Sequence, residues 1–196
     1  RATGETLGQQ FGHYPELFAS PRFWGYSIAC GLTSGAFFAY LGGAPYVGTE
    51  IFHLSPSTLG FYFGAPALGY FAGNYLSGRY SMTVGVNGMV LYGALISTGA
   101  TATSLLVFSL DHGSPLIFFG FMTLVGLGNG LTIPNATSGL GGAIMIGFGA
   151  ILSGLAGVVL TGKDSATPVL WLMVLSTAGG LLAAIFVIRR AKAIGA

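Results

Sequence analysis

The sequence predicts an all-α fold, a polytopic membrane bundle of six transmembrane helices, and three observations predict it. Charged residues make up 6% of the chain and apolar residues 53%, whereas a soluble domain carries about 25% Asp, Glu, Lys and Arg. Five stretches lack those four residue types altogether: Phe23 to Thr49, Ile51 to Gly78, Tyr80 to Leu110, His112 to Gly162 and Ser165 to Ile188. Each is long enough to cross a hydrocarbon layer, which takes about 20 apolar residues in a helix. None alternates with a sustained period of two, so helices rather than barrel strands satisfy the backbone in lipid.

Residues 1–23 are of mixed polarity, with Phe18, Pro21, Glu16 and Arg22 near the first apolar run, and read as a cytoplasmic linker with a short interfacial helix. No leader pattern of basic cluster, short apolar run and small-residue cleavage site is visible there, and a start on Arg1 points to a beginning that lies further upstream. The bundle occupies 24–188, with spans over Trp24 to Ala44, Thr58 to Ser77, Val84 to Leu110, Pro115 to Ile133, Gly139 to Thr161 and Pro168 to Ile188. The stretch from His112 to Gly162 is too long for one crossing. Pro134 and Asn135, flanked by Gly128, Gly130 and Gly139, divide it into the fourth and fifth spans. Residues 189–196 form a cytoplasmic basic tail.

With six alternating helices, both ends and the turns near Arg79 and Asn135 share one side. That side holds Arg1, Arg22, Arg79, Arg189, Arg190 and Lys192, against Lys163 alone on the other. The bias places both termini in the cytoplasm. The cations are spread over helix ends rather than gathered into a patch, so no nucleic-acid partner is implied. The lone Cys30 lies inside the first span and excludes an intrachain disulfide.

Small residues recur every fourth position at Gly31, Gly35, Ala39 and Gly43, at Ala65, Gly69, Gly73 and Ser77, and at Gly93, Ser97 and Thr101. The same interval appears at Gly126 and Gly130 and at Gly149, Ser153 and Gly157. In lipid such seams let helix backbones approach closely. A weak internal repeat accompanies them: Gly42, Gly43 and Pro45 end the first span as Gly128, Gly130 and Pro134 end the fourth. Ser-x-Leu-Gly opens the second and fifth, at Ser57 to Gly60 and Ser138 to Gly141. Three plus three helices in inverted topology is the build of half a secondary transporter, and glycine-rich helices also acquire such likeness by chance.

Several runs carry a resemblance. Glu5-Thr6-Leu7, Phe38-Ala39-Tyr40-Leu41, Ala44-Pro45-Tyr46-Val47, Glu50 to Pro56, Gly126-Leu127-Gly128 and Pro134-Asn135-Ala136-Thr137 resemble the carboxy-terminal half of the Bcr/CflA drug-resistance transporters of the major facilitator superfamily (MFS). The resemblance implies a multi-pass protein of the bacterial inner membrane that exports drugs or small metabolites, hydrophobic or cationic, in exchange for protons. Two six-helix halves would rock about a central cavity lined here by the first, second, fourth and fifth spans. The family's first half, with its usual coupling acid and antiporter motif, is absent, and the connection after Thr137 is shorter than the family's and lacks its basic residues. The partners implied are the lipid bilayer, a small substrate, and either the missing amino-terminal half or a larger membrane complex.

No catalytic constellation, metal set or cofactor motif stands out, so an enzyme is not expected. His13, His53 and His112 lie far apart near span ends, without ligand-spaced Cys or carboxylates. Intramembrane ionisable groups mark ion pathways, and these spans hold no Asp, Glu, Lys or Arg. Glu50, at the outer end of the first span, is the nearest proton-linked candidate, with a solvated loop carboxylate as the plainer reading. Asn74, Asn129 and Asn135 are the polar candidates for a substrate cavity, or else glue between helices, because an amide in hydrocarbon must be satisfied. Phe37, Tyr40 and Phe63 are the aromatic candidates, able to stack on a flat apolar or cationic molecule, or simply to pack. Two functions are therefore carried forward: half of a proton-coupled exporter working by alternating access, and a truncated transporter-like subunit that packs against a larger membrane complex.

Overall fold

The computed structural model describes residues 20–136 and 139–193. Glu5-Thr6-Leu7, His13, nearly all of the 1–23 linker and the Thr137–Ser138 junction lie outside them. The elements are α1 (Pro21–Tyr46), a π-helical turn (Val47–Ile51), α2 (Pro56–Phe63), α3 (Ala65–Ser109), α4 (Pro115–Ala136), α5 (Gly139–Leu160) and α6 (Thr167–Ala193). Among the described residues five helical stretches are long and apolar enough to cross a membrane: Phe23–Ile51, Pro56–Ser109, Pro115–Ala136, Gly141–Leu160 and Thr167–Arg190.

Local chemistry explains where each element starts. Ser20 caps α1 by accepting a bond from the Phe23 amide, and Pro21 occupies the first turn, where its missing N–H costs nothing. The helix runs past the expected end at Ala44 into the π-helical turn, with the Thr49 hydroxyl donating to the Pro45 carbonyl at 2.9 Å. Ser55 and Pro56 repeat the same start for α2. Gly64 and Pro66 then interrupt what the sequence reads as one second span, because Pro66 has no N–H to donate to the turn before it.

The 54-residue stretch from Pro56 to Ser109 would measure about 80 Å as a straight helix, more than twice a ~30 Å hydrocarbon core. It is not straight. Gly85 sits at φ 77°, ψ 159°, a conformation open essentially to glycine alone, and splits α3 into limbs 65–84 and 86–109. The sequence places this turn near Arg79, where the charge marks a membrane edge. The helix continues through Val84, because nothing from Tyr80 to Val84 forces a break until Gly85 supplies one.

Close approaches reveal the direction of each helix. A Cβ on Gly69 would meet Thr123 and Leu127, and one on Gly73 would meet Leu127 and Gly130, so the first limb of α3 runs parallel to α4. On the second limb, Gly93 opposes Thr132 and Gly128, while Gly128 in turn opposes Ser97, so that limb runs antiparallel to α4. The chain therefore reverses between the limbs. In the same way, Gly31 meets Phe148 and Gly43 meets Leu160, making α1 parallel to α5, whereas Gly25 meets Val187 and Gly180 meets Thr33, making α1 antiparallel to α6.

Gly31, Gly43, Gly69, Gly73 and Gly93 belong to the small-residue series read from the sequence, while Gly25, Gly128 and Gly180 do not; at Gly69, Gly73, Gly126 and Gly130 the seams bring peptide groups rather than side chains into contact. Gly157, which extends another series, meets nothing. The second limb of α3 is tied to α6 by a buried Thr101–Thr177 hydroxyl pair at 2.9 Å, and α6 to α1 by the Ser176 hydroxyl donating to the Leu32 carbonyl at 2.6 Å. Thr98, Thr103, Thr132 and Thr161 bond back to carbonyls four residues earlier, the usual fate of hydroxyls in apolar helices. Tyr40, Phe118, Phe119, Leu160 and Met173 centre the main apolar cluster. Side chains such as Phe71, Met82, Val158, Leu175 and Leu182 face outward, as an apolar solvent permits. The last helix extends through Arg189 and Arg190 to Ala193 rather than ending at Ile188.

Candidate functional site

A cavity of about 370 Å³ opens between α1, the α2–α3 junction, α4 and α5. Ser34, Phe37, Phe38 and Leu41 contribute from α1; Phe63, Pro66, Ala67 and Tyr70 from the junction; Gly126, Asn129 and Ile133 from α4; Met145 from α5. The α1 residues fall at i, i+3, i+4 and i+7, one face of a helix, the same spacing carries from Phe63 at the end of α2 across the Gly64 break to Tyr70 on α3, and the α4 residues fall at i, i+3 and i+7. The wall exists because the seam glycines Gly126 and Gly130 hold α4 against the first limb of α3, with a Cβ on Gly126 placed against the Pro66 carbonyl and the Tyr70 amide.

The sequence candidates divide. Phe37, Phe63 and Asn129 line the cavity. Tyr40 stands directly behind it, fully buried, its ring 5.2 Å from Phe63 and 6.4 Å from Phe37, and its hydroxyl donating to the Phe63 carbonyl at 3.4 Å. Rings of Phe118 and Phe119 close on Tyr40 at 6.1 and 6.0 Å, so an aromatic cluster backs the lining rings of Phe37 and Phe63. Asn74 does not line it, because its amide donates to the Tyr70 carbonyl of its own helix at 2.8 Å. Asn135 joins helices instead, donating to the Ser77 hydroxyl at 2.6 Å and the Leu131 carbonyl at 2.8 Å. Glu50 is exposed on the π-helical turn and accepts a bond from the Thr49 hydroxyl at 3.1 Å, away from the cavity.

Asn129 differs from the other two amides in its burial: it is 2% exposed, and its buried Oδ1 has no hydrogen-bond partner, whereas Asn74 and Asn135 are half-buried and bonded through their amide nitrogens. Ser34 also carries a polar atom to the wall, but its hydroxyl is spent on the Met145 sulfur at 3.4 Å. Cys30 contacts the same sulfur at 3.7 Å. Among the described residues no carboxylate, lysine, arginine or histidine lines the cavity. Among the described residues no group of three His, Cys, Asp or Glu side chains is placed to hold a metal ion.

Nine of the lining residues are not among the site candidates drawn from the sequence, including Phe38, Leu41, Tyr70 and Met145. In an apolar helix a cavity-facing Leu or Met has the same chemistry as a lipid-facing one. The available signal was the i, i+3, i+4, i+7 continuation of Phe37 and Phe63 along their own helices.

No family model matches the chain, and no solved structure matches it. Among curated proteins it is similar to an uncharacterised MFS-type transporter, YdgK, of Bacillus subtilis (strain 168), with 26% identity over 192 aligned residues covering 91% of this chain and 47% of the relative. The chain thus spans about half the length of the curated relative it matches.

Proposed function

We propose that this chain is the carboxy-terminal six-helix half of an MFS-type transporter, lining one wall of a substrate path through the membrane. The observation that carries the reading is the pattern of helix directions. Numbering the two limbs of α3 as second and third spans and α4 to α6 as fourth to sixth, the first span packs parallel to the fifth and antiparallel to the sixth. The fourth packs parallel to the second and antiparallel to the third. Exchanging spans one to three with four to six maps each of these pairings onto another, as expected of an inverted repeat. The cavity is lined by the first, second, fourth and fifth spans. Its position and the likeness to an MFS-type transporter support the same assignment.

Within that reading the six crossings place the Arg79 end and both termini in the cytoplasm of a bacterial inner membrane, an orientation supported by the distribution of cations. Phe37, Phe63 and Asn129 contact the substrate, with Tyr40 buttressing the two rings. Proton-coupled export of drugs or small metabolites, as in the Bcr/CflA group, rests on the resemblance of the motif runs. No charged side chain is among the described residues that line this cavity, which supports placing the coupling acid in the other half.

The test is transport by the complete protein in inside-out vesicles under an imposed proton gradient, with a panel of fluorescent apolar and cationic dyes. Gradient-dependent uptake that falls several-fold in Phe37→Ala and Phe63→Ala is the expected result. Absence of uptake, together with purification of the protein in fixed stoichiometry with a larger membrane complex, would replace this reading by that of a structural subunit.

A further inference from the structure

Resting on the assignment of the cavity as a substrate site, we infer that it selects an uncharged aromatic molecule bearing one hydrogen-bond donor, an N–H or O–H read by Asn129. The volume of about 370 Å³ falls at the small end of the ~300–1,000 Å³ of ligand sites. Its walls offer Phe37 and Phe63 as ring faces and almost no polarity.

Two features of the wall define the ligand's chemistry. The first is the acceptor left over: Asn129 is almost wholly buried and its Oδ1 is unpartnered, a state whose cost a bound donor removes. Asn74 and Asn135 donate through their amide nitrogens to groups of the protein, and the Asn87 oxygen accepts from the Tyr26 hydroxyl. Glue between helices would give Asn129 a partner of one of these kinds, and its buried oxygen has none. The second feature is the missing counter-charge. Among the described residues this wall carries no carboxylate, so against it an ammonium ion would shed its water with no anion of this chain to replace it, whereas a neutral indole, phenol or amide gives up one hydrogen bond to water and regains one.

The experiment compares 2-phenylindole with 1-methyl-2-phenylindole, which has the same rings and lacks the donor, and with dibenzylammonium, which has donors and a charge. Each competes for radiolabelled 2-phenylindole on the complete protein in lipid nanodiscs, with protein-free discs correcting for partition into lipid. The N–H compound is expected to bind about tenfold more tightly than its N-methyl analogue, and dibenzylammonium more weakly than the N–H compound. In Asn129→Leu the tenfold gap closes while N-methyl binding is retained. In Phe63→Ala both indoles weaken alike, a change that reports on the cavity and not on the donor. Equal binding of the two indoles to the wild-type protein overturns the donor readout and leaves the cavity as a binding site. Tighter binding of dibenzylammonium overturns the uncharged class. Saturable binding of neither indole overturns this inference and the cavity assignment together. The wild-type comparisons decide the matter even if Asn129→Leu does not fold.

Discussion

Gly69→Ala is expected to destabilise the bundle by about 1–3 kcal/mol, the range for overpacking a close contact that cannot give way. The added Cβ would overlap the Thr123 carbonyl and crowd the Leu127 amide nitrogen. Both are backbone of α4, so no rotamer change relieves them. The seam is two-sided, since a Cβ on Gly126 would in turn meet the Pro66 carbonyl and the Tyr70 amide nitrogen. The helices must separate, and in lipid no gain from burying apolar surface compensates for lost packing. The cavity wall shared by Tyr70, Gly126 and Asn129 moves with them. Thermal unfolding in mild detergent reads the effect. Gly78→Ala is the control: it lies on the same helix with open space around it and should be neutral or slightly stabilising, as alanine is the better helix former. Equal melting temperatures for Gly69→Ala and Gly78→Ala would mean that the seam is not closed in the membrane.

The second large effect comes from backbone rather than contact. At Gly85, φ 77° and ψ 159° lie where only glycine rests without strain, and an alanine there costs of order 1–3 kcal/mol. A Cβ at Gly85 meets nothing within 4 Å, so crowding plays no part in the loss. The strain is relieved if residues 84–86 become helical, which would straighten the reversal and pull the second limb away from Thr132 and Thr177. Gly85→Ala is therefore expected to melt lower than wild type and to expose Ser97 and Thr101, now buried, to thiol labelling when either is replaced by cysteine. Wild-type stability and protection in Gly85→Ala would show that the turn is made elsewhere.

The contrast between these glycines shows how much of the fold can be read from the chain. Uncharged runs marked the helices, and the four-residue interval marked the seams, because both are properties of local composition in lipid. Where the second and third helices part was harder. Arg79 marks the charge boundary, but a helix ends where its backbone is broken, and among several glycines nearby only the fold decides that Gly85 takes the positive φ. Interval alone also failed to separate Gly69, pressed on Thr123, from Gly157, which meets nothing.

The site was legible in part for a similar reason. Asn129, Phe37 and Phe63 drew attention by residue type. Asn74 and Asn135 drew it equally, and only the three-dimensional arrangement shows that they stand off the cavity with their amide nitrogens donating within the protein. Tyr40 lies one helical turn from Phe37, yet it is packed behind the cavity because Phe118 and Phe119 close over it. Met145 carries no sign of its place until α5 is laid parallel to α1.

The reversal at Gly85 and the alternation of the later helices are the centre of this account, and the sidedness of two cations tests them most directly. Arg79 and Lys163 are both exposed, and Cys30 is the one cysteine in the sequence. In a Cys30→Ser background, cysteines replacing Arg79 and Lys163 one at a time should react with a membrane-impermeant maleimide from opposite faces of oriented vesicles, Arg79→Cys from the cytoplasmic face and Lys163→Cys from the outer face. Reaction of both from the same face would contradict the six-crossing bundle and the transporter-half reading built on it.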